Sequence, residues 1–274
     1  MRIAGTILVA VLAATPSRPL AAQASPSAPV PSRDERFGIR SAVLGEDREV
    51  LVHLPEGARS GERFDVVYVL DGTALLPLVA GMADYRVMMQ IPPKVIVVGI
   101  TNRSSQGRGK DFTPVVDTTH RDWFPVSGGA DTFLRFLESE VIPTVEARYP
   151  VTRHRTIIGH SLSALFVLHA LAARPDLFER YIAVSPTIPW AGQAIITELG
   201  TKLPTLNSPL GLYVSVGNEQ DGYPEGLDRL EALLRRAAPA SLRWKVERFP
   251  QYDHTATVPP AVHAGLMFVY PSSN

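Results

Sequence analysis

Short runs of consecutive apolar, mostly β-branched residues are the feature of this 274-residue sequence that most restricts its fold. Two of them, DVVYVL at 65–70 and KVIVVGI at 94–100, lack the polar alternation of a strand with one solvated face. Such strands need cover on both faces, which is typical of parallel sheets flanked by helices. The segment 74–89 between them is apolar at helical spacing and predicts a crossover helix. The first βαβ unit is therefore expected here.

Strands and helices alternate along the rest of the sequence. A hairpin is expected at 41–54, and the segment 101–129, rich in Gly, Ser, Thr and Pro, is expected to be a long loop with a functional role. A helix is predicted at 131–148 with a kink at Pro143. Further strands are predicted at 155–158, 181–184, 211–216 and 244–249, and further helices at 162–173, 227–237 and 262–269. This order predicts a doubly wound, mostly parallel α/β sheet with antiparallel strands at its N-terminal edge.

The first 37 residues differ in composition from the rest. A basic residue precedes an apolar stretch at 3–14, and Ala22-Gln23-Ala24 fits the small-x-small pattern of a signal-peptidase site. We therefore expect a signal peptide at 1–24, a Pro/Ser-rich linker at 25–37 and one domain at 38–274. The apolar stretch is too short to serve as a permanent membrane span, so an exported protein, periplasmic or secreted, is expected.

Charge and cysteine content exclude several classes of function. The 27 basic side chains are balanced by 27 acidic ones and are scattered among them, whereas a nucleic-acid-binding face needs clustered basic residues. We therefore expect no nucleic-acid partner. The sequence contains no cysteine, which excludes disulfides, cysteine nucleophiles and cysteine metal sites.

The segment RTIIGHSLSA, residues 155–164, runs from a predicted strand through G-x-S-x-S into a predicted apolar helix. The nucleophile elbow of an α/β-hydrolase sheet needs small residues two positions before and after its serine, because the neighbouring backbones crowd the turn. Gly159 and Ser163 are small, although a glycine is usual at the second position. Ser161 is therefore the candidate nucleophile, and the amide of Leu162 is a candidate oxyanion donor. The alternative is an ordinary strand-to-helix junction capped by Ser161.

The order of the triad in this fold restricts the search for the acid and the base. Both follow the nucleophile, the acid first, and each lies after a later strand. His254 lies in a loop after a predicted strand, whereas His169 and His263 fall in predicted helices, so His254 is the candidate base. After the strand before it, Glu219 and Asp221 compete as the carboxylate that orients the imidazole, and Glu219 is favoured.

A second oxyanion amide is expected in the turn after the first buried strand. Gly72 or Thr73 would supply it, since a glycine allows a close approach of the backbone. The alternative is a plain Asp-Gly turn.

Four more residues are candidate parts of a substrate pocket. Arg108, Asp111 and Trp123 lie in the predicted loop and could contact an acyl or aromatic group. The alternative for Arg108 and Asp111 is an ion pair that holds the loop. For Trp190, a pocket wall and core packing are equally weighted.

Several stretches together resemble the family called Putative esterase, which includes enterochelin and salmochelin esterases, feruloyl esterases and mycolyltransferases. The resemblance covers most of 41–270, and its stretches are SAVLGEDREVLVHLPEG, VVYVLDG, RGKDFTP, SGGADTFLRFLESEVIPTVEARY, RTIIGHSLSALF, PDLFERYIAVSP, VGNEQ, and the later DH and GLMF. Two departures are the missing second glycine of the elbow and SPTIPW at 185–190, where Ser-Pro-Ser-Leu-Trp-Trp is common. The second departure changes a pocket wall, so the family's substrate does not carry over.

The resemblance implies a serine hydrolase of carboxylic esters that works through an acyl-enzyme and needs no metal or cofactor. It implies a triad of Ser161, Glu219 and His254 and a small-molecule substrate such as a siderophore, aryl or acyl-sugar ester. Two alternatives remain: an acyltransferase that presents an alcohol in place of water, and a non-catalytic binding protein on the same fold. The filled triad positions disfavour only the binding protein, because an acyltransferase uses the same triad.

Overall fold

The apolar runs form the centre of one sheet in the computed structural model, which describes residues 33–57, 61–102 and 104–271. In this part of the chain the strands are β1 (Arg33–Arg40), β2 (Asp47–Leu54), β3 (Phe64–Val69), β4 (Val95–Ile100), β5 (Val151–His160), β6 (Arg180–Val184), β7 (Leu210–Gly217) and β8 (Leu242–Phe249). Their order in the sheet is β1-β2-β4-β3-β5-β6-β7-β8. The β1–β2 and β2–β4 pairs are antiparallel, and the strands from β4 to β8 run parallel. The predicted mostly parallel sheet, with antiparallel strands at its N-terminal edge, is confirmed.

Helices cover both faces of this sheet. They are α1 (Gly72–Met88), α2 (Ser105–Phe112), α3 (Ala130–Phe136), α4 (Ile142–Arg148), α5 (Leu162–Ala173), α6 (Trp190–Lys202), α7 (Tyr223–Ala237) and α8 (Val258–Val269). The side chains of α1 and α8 form one hydrophobic cluster with the sheet, and those of α3 to α7 form a second one on the other face. Every residue of β3, β4 and β7 is buried, which explains their unbroken apolar sequences. Among the described residues, no helix is long and apolar enough to span a bilayer.

The first strand begins earlier than the sequence indicated. β1 pairs with β2 along its whole length, so residues 33–37 are strand and were wrongly predicted as linker. The predicted hairpin at 41–54 contains only the second strand, with 41–46 as the turn. An edge strand with charged residues on its outer side carries little apolar signal, since only Phe37 and Ile39 of β1 pack on the core. The predicted signal peptide at 1–24 lies outside the described residues.

Two helices were missing from the sequence-based expectation. α2 interrupts the predicted loop 101–129; it contains two glycines, and the side chain of Ser104 caps it by accepting a hydrogen bond from the amide of Gly107. α6 has three consecutive left-handed residues, 191–193, directly after its first residue, so its regular helical part is shorter than its bounds. The predicted helix 131–148 is present, with a π-helical turn at Leu137–Val141 just before Pro143. Such a turn accommodates a proline, which lacks an amide N–H.

Candidate active site

Strained backbone marks one edge of the sheet. Asp71, Ser161 and Ser185 directly follow β3, β5 and β6 or lie within two residues of their ends, and they have φ values of 52°, 62° and 47°. Positive φ is costly for residues with a Cβ atom and is concentrated at functional sites. Because these strands are parallel, the three residues lie at the same carboxyl edge of the sheet.

Ser161 occupies a sharp turn between β5 and α5, with φ 62° and ψ −121°. A Cβ on Gly159 would meet the backbone of Ser163 and lie 2.8 Å from the amide nitrogen of Ala164, so only glycine fits there. The Ser161 side chain makes no capping hydrogen bond to α5, unlike the serine of an ordinary strand-to-helix junction. This strand-turn-helix geometry is the one expected of a nucleophile elbow.

Ser163, which stands where glycine is usual, links the elbow to the turn after β3. Its hydroxyl accepts a hydrogen bond from the amide of His160 at 2.8 Å and donates one to Asp71 Oδ2 at 2.7 Å. The Ser163 side chain is fully buried. The extra hydroxyl is therefore paired inside the protein and is not exposed to a substrate.

The oxyanion candidates are the first amides of two helices. Leu162 opens α5, and Gly72 and Thr73 open α1. A Cβ on Gly72 would lie 2.6 Å from the backbone of Gly99, so the start of α1 is pressed against β4. First-turn amides have no partner inside their own helix, and within the described part of the chain these three amides donate no other hydrogen bond. They are free to bind a developing negative charge.

Glu219 and His254 are hydrogen bonded to each other, with 2.8 Å between Oε2 and Nδ1. The other Glu219 oxygen accepts hydrogen bonds from the amide of Gly217, at 2.9 Å, and from the hydroxyl of Ser185. Burial opposes the ionised form, but these hydrogen bonds outweigh it and hold the pKa of Glu219 below its ordinary value. The carboxylate is therefore charged at neutral pH and keeps the proton of His254 on Nδ1, which leaves Nε2 as the basic nitrogen. Asp221, the competing acid, is exposed, and no hydrogen bond or ion pair between described residues joins it to His254.

His160, which the sequence reasoning overlooked, supports the candidate base. Its Nε2 atom lies 2.9 Å from the carbonyl oxygen of His254, and the two rings are 4.6 Å apart. Burial, followed by the nearby charge of His254, lowers the pKa of His160 to about 4. His160 is thus neutral at physiological pH and donates from Nε2 to fix the loop that carries His254. The only signal for this role was its position as the x before the serine in G-x-S-x-S.

The Ser161 hydroxyl lies 3.4 Å from the hydroxyl of Thr187. Among the hydrogen bonds of the described residues, none joins Ser161 to His254. Contacts between a nucleophile and its base are often long before substrate binds and tighten in the complex. Thr187 was not predicted as a site residue, since it appeared in the sequence only as part of the unusual SPTIPW segment.

The four predicted pocket residues have different environments, and three expectations need correction. Arg108 pairs through two nitrogens with Asp71, at 2.7 and 3.0 Å, so the alternative of an ion pair with Asp111 is wrong. Asp111 is 1% exposed and pairs with Arg48 at 2.8 Å, so it cannot line a pocket. Burial raises the pKa of Asp111, and the charge of Arg48 opposes this. Trp123 is 78% exposed and stays a candidate substrate contact.

Trp190 is packed inside the protein, which answers the question that the sequence left open. It is 2% exposed, its Nε1 donates to the carbonyl oxygen of Val115 at 2.8 Å, and its ring stacks on His120 with 5.3 Å between centroids. The expectation of a pocket wall is therefore wrong, because the ring is buried and packs against the segment 115–120.

Known proteins are similar to this chain in sequence and in fold. The family model described as Putative esterase matches residues 41–265. A Bacillus subtilis (strain 168) protein named ferri-bacillibactin esterase BesA is 30% identical, in an alignment covering 75% of this chain and 78% of the relative. An Emericella nidulans protein named siderophore enterobactin esterase is 32% identical, covering 78% and 84%. The crystal structure of the BES protein from Bacillus cereus superposes with a TM-score of 0.78 at 26% identity, covering 88% of this chain and 96% of that one.

Proposed function

The chain belongs to the Putative esterase family, and we propose that it is a serine ester hydrolase with Ser161 as nucleophile, His254 as base and Glu219 as acid. The observation that carries this proposal is the 2.8 Å hydrogen bond between a buried, ionised Glu219 and His254, at the edge where Ser161 stands in its elbow. A serine hydroxyl is a weak nucleophile at neutral pH unless a base accepts its proton. A base oriented by a carboxylate near Ser161 therefore supports nucleophilic catalysis rather than simple binding.

In the first half of the reaction, His254 Nε2 takes the proton of Ser161 as Oγ attacks the ester carbonyl carbon. The carbonyl oxygen becomes negatively charged and accepts hydrogen bonds from the amides of Leu162 and of Gly72 or Thr73. The tetrahedral intermediate then breaks its bond to the alcohol oxygen, which takes from His254 the proton that came from Ser161. The acyl group remains on Ser161.

In the second half, water replaces the alcohol. His254 takes a proton from the water as its oxygen attacks the acyl carbon, and the collapse of the second intermediate releases the acid and returns the proton to Ser161. Glu219 stabilises the imidazolium that forms in both halves. Because His160 stays neutral, it adds no second positive charge beside that imidazolium.

The substrate class we propose is a siderophore ester. Relatives named for siderophore ester hydrolysis are at least 30% identical and cover more than two thirds of this chain. Thr187, which belongs to the SPTIPW segment, lies 3.4 Å from Ser161 between hydroxyl oxygens. We therefore expect this unusual segment to influence which siderophore is chosen.

We also propose that the protein is exported, that its mature form begins at Ser25, and that its one domain begins near Arg33, where β1 starts. The support is the apolar stretch and the Ala22-Gln23-Ala24 pattern in the sequence. N-terminal sequencing of the protein recovered outside the cytoplasm should begin at Ser25. A chain that is recovered only in the cytoplasm with its first residues intact would contradict this.

The test of function compares hydrolysis of enterobactin, a siderophore lactone, with that of p-nitrophenyl esters. Ser161→Ala and His254→Ala should each lower kcat/KM by about a thousandfold or more on both. Ser139→Ala and His263→Ala, at exposed helical positions, are the matched controls and should retain activity. Hydrolysis of p-nitrophenyl esters but not of enterobactin would reject this siderophore alone, and the same result with ferri-bacillibactin and triacetylfusarinine C would reject the substrate class. Full activity in Ser161→Ala would reject the mechanism.

A further inference from the structure

Two hydroxyl groups that the mechanism above does not use adjoin both Ser161 and His254. Thr187 Oγ1 lies 3.4 Å from Ser161 Oγ and 3.1 Å from the hydroxyl of Tyr223. The ring of Tyr223 in turn meets the ring of His254 edge-on, with 5.3 Å between centroids. We call Thr187 and Tyr223 the hydroxyl pair.

The fold holds the hydroxyl pair in place. Thr187 follows β6, and its amide donates to the carbonyl oxygen of Ser161 at 3.3 Å, which ties it to the elbow. Tyr223 is the first residue of α7. A Cβ on Gly226 of α7 would lie 2.8 Å from the side chain of Ile188, so α7 packs directly on the loop that carries Thr187. These contacts hold the side chains of Thr187 and Tyr223 beside the nucleophile.

The hydroxyl pair is uncharged and reachable. Ser161, Thr187 and Tyr223 are each half-buried, so each keeps part of its surface open to solvent. Burial raises the pKa of Tyr223, and hydrogen bonds with Thr187 and Ser161 offset only part of this, so the phenol keeps its proton at neutral pH. A hydroxyl can both donate and accept a hydrogen bond. The pair suits a neutral oxygen that carries or receives a proton, such as that of an alcohol or of water.

The position of the pair in the sheet matches one step of the chemistry. The oxyanion amides of Gly72 and Thr73 follow β3, on one side of β5, whereas the hydroxyl pair and His254 follow β6, β7 and β8 on the other side. The leaving alcohol and the attacking water must both lie within reach of His254, because each exchanges a proton with it. By microscopic reversibility they also occupy the same place relative to the acyl carbon.

We propose that the hydroxyl pair binds the oxygen of the leaving alcohol during acylation and that of the attacking water during deacylation. This inference rests on the proposed function. In acylation the bond from the acyl carbon to the alcohol oxygen breaks, and that oxygen takes the proton of His254. In deacylation a water oxygen bonds to the same carbon, its proton passes to His254, and Ser161 leaves with that proton. The pair thereby favours esters of aliphatic alcohols, whose oxygen must be held while it is protonated.

Two esters with the same acyl group separate this role from simple packing. The p-nitrophenolate of p-nitrophenyl butyrate departs without a proton, whereas the alkoxide of ethyl butyrate needs one. Tyr223→Phe and Thr187→Val remove one hydroxyl each and keep the shape of the side chain. Each should lower kcat/KM for the ethyl ester about tenfold more than for the p-nitrophenyl ester, which is the value of one hydrogen bond. Thr187→Ser, which keeps the hydroxyl, should restore the wild-type ratio.

Tyr85→Phe is the matched control, since Tyr85 is 54% exposed on α1, and it should show the wild-type ratio. Equal losses on both esters, or no loss on either, in Tyr223→Phe and Thr187→Val would overturn the inference. If Tyr223→Phe fails to fold, the comparison of Thr187→Val with Thr187→Ser decides. Failure of the proposed function is recognised separately, because Ser161→Ala would then hydrolyse both esters as fast as the wild type.

Discussion

The loops at the carboxyl edge of the sheet are of two kinds. The elbow after β5 and the acid loop after β7 are shaped by contacts within a few residues: Ser163 bonds to the amide of His160, and Glu219 bonds to that of Gly217. The segment 101–129 is held by contacts between distant parts of the chain, such as that of Asp111 with Arg48. The turns of Ser161 and Glu219 thus have local hydrogen bonds, whereas the loop of His254 and the surroundings of the site depend on contacts between distant residues.

The largest effect should come from the acid loop. Glu219→Gln leaves the shape of the side chain but removes the charge that keeps the proton on Nδ1 of His254, so kcat should fall about 10³- to 10⁴-fold. Asp221→Asn is the matched control and should change kcat less than about twofold, since Asp221 is exposed. Steady-state kinetics on one p-nitrophenyl ester measures both. The reverse order of the two losses would assign the acid to Asp221.

Next is the buried ion pair that holds the segment 101–129. Asp111→Asn removes the buried carboxylate partner of Arg48 and leaves the guanidinium only its pair with the partly exposed Glu46, so the free energy of unfolding should fall by about 3 kcal/mol. Asp47→Asn breaks the exposed pair with Arg40 and should cost less than about 1 kcal/mol. Urea unfolding of both variants measures the difference. Similar costs for the two would mean that segment 101–129 does not depend on its tertiary contacts as argued.

A smaller effect, with opposite signs at two places, is expected for glycine-to-alanine changes. Gly159→Ala places a Cβ against the backbone of Ser163 and should cost about 1–3 kcal/mol and reduce activity by shifting the elbow. Gly81→Ala, in α1 with no atom within 4 Å of the new Cβ, should stabilise the protein by about 0.5–1 kcal/mol. Thermal and urea unfolding test both. An unchanged free energy of unfolding in Gly159→Ala would contradict the crowding described for this turn.

Features with local sequence signals could be predicted, whereas features that depend on distant contacts could not. The helix predicted at 162–173 has the bounds of α5, and Glu219 rather than Asp221 meets His254, because strand ends and small residues carry local signals. Nothing local indicates that Trp190 reaches the carbonyl oxygen of Val115, 75 residues away. Thr187 could not be predicted from the sequence either. A hydroxyl residue in a loop near a site has no sequence pattern that distinguishes it from one exposed to solvent.

The smallest effect concerns His169, which links α5 to Glu198 of α6, at 2.8 Å, and to Asp131 of α3, at 3.0 Å. Burial disfavours its charge, but the two carboxylates outweigh burial and raise the pKa of His169. A raised folded-state pKa contributes stability below the unfolded pKa and loses it as the pH rises through the folded value. His169→Gln should therefore cost more stability at about pH 5 than at about pH 9.

The control for this pH dependence is His263→Gln, at an exposed position of α8. Its cost should be small at both pH values. A cost of His169→Gln that is independent of pH would show that the carboxylates do not favour the charged imidazole and that His169 acts by packing alone.

The most direct test of the central claim is reaction with a fluorophosphonate, followed by mass spectrometry of the labelled peptide. Only an activated serine reacts rapidly with such a reagent, so the label is expected on Ser161 in the wild type, and its rate should fall strongly in His254→Ala and Glu219→Gln. Label on Ser163 or Ser185, or labelling of Ser161 at an undiminished rate in His254→Ala, would contradict the proposed nucleophile and base.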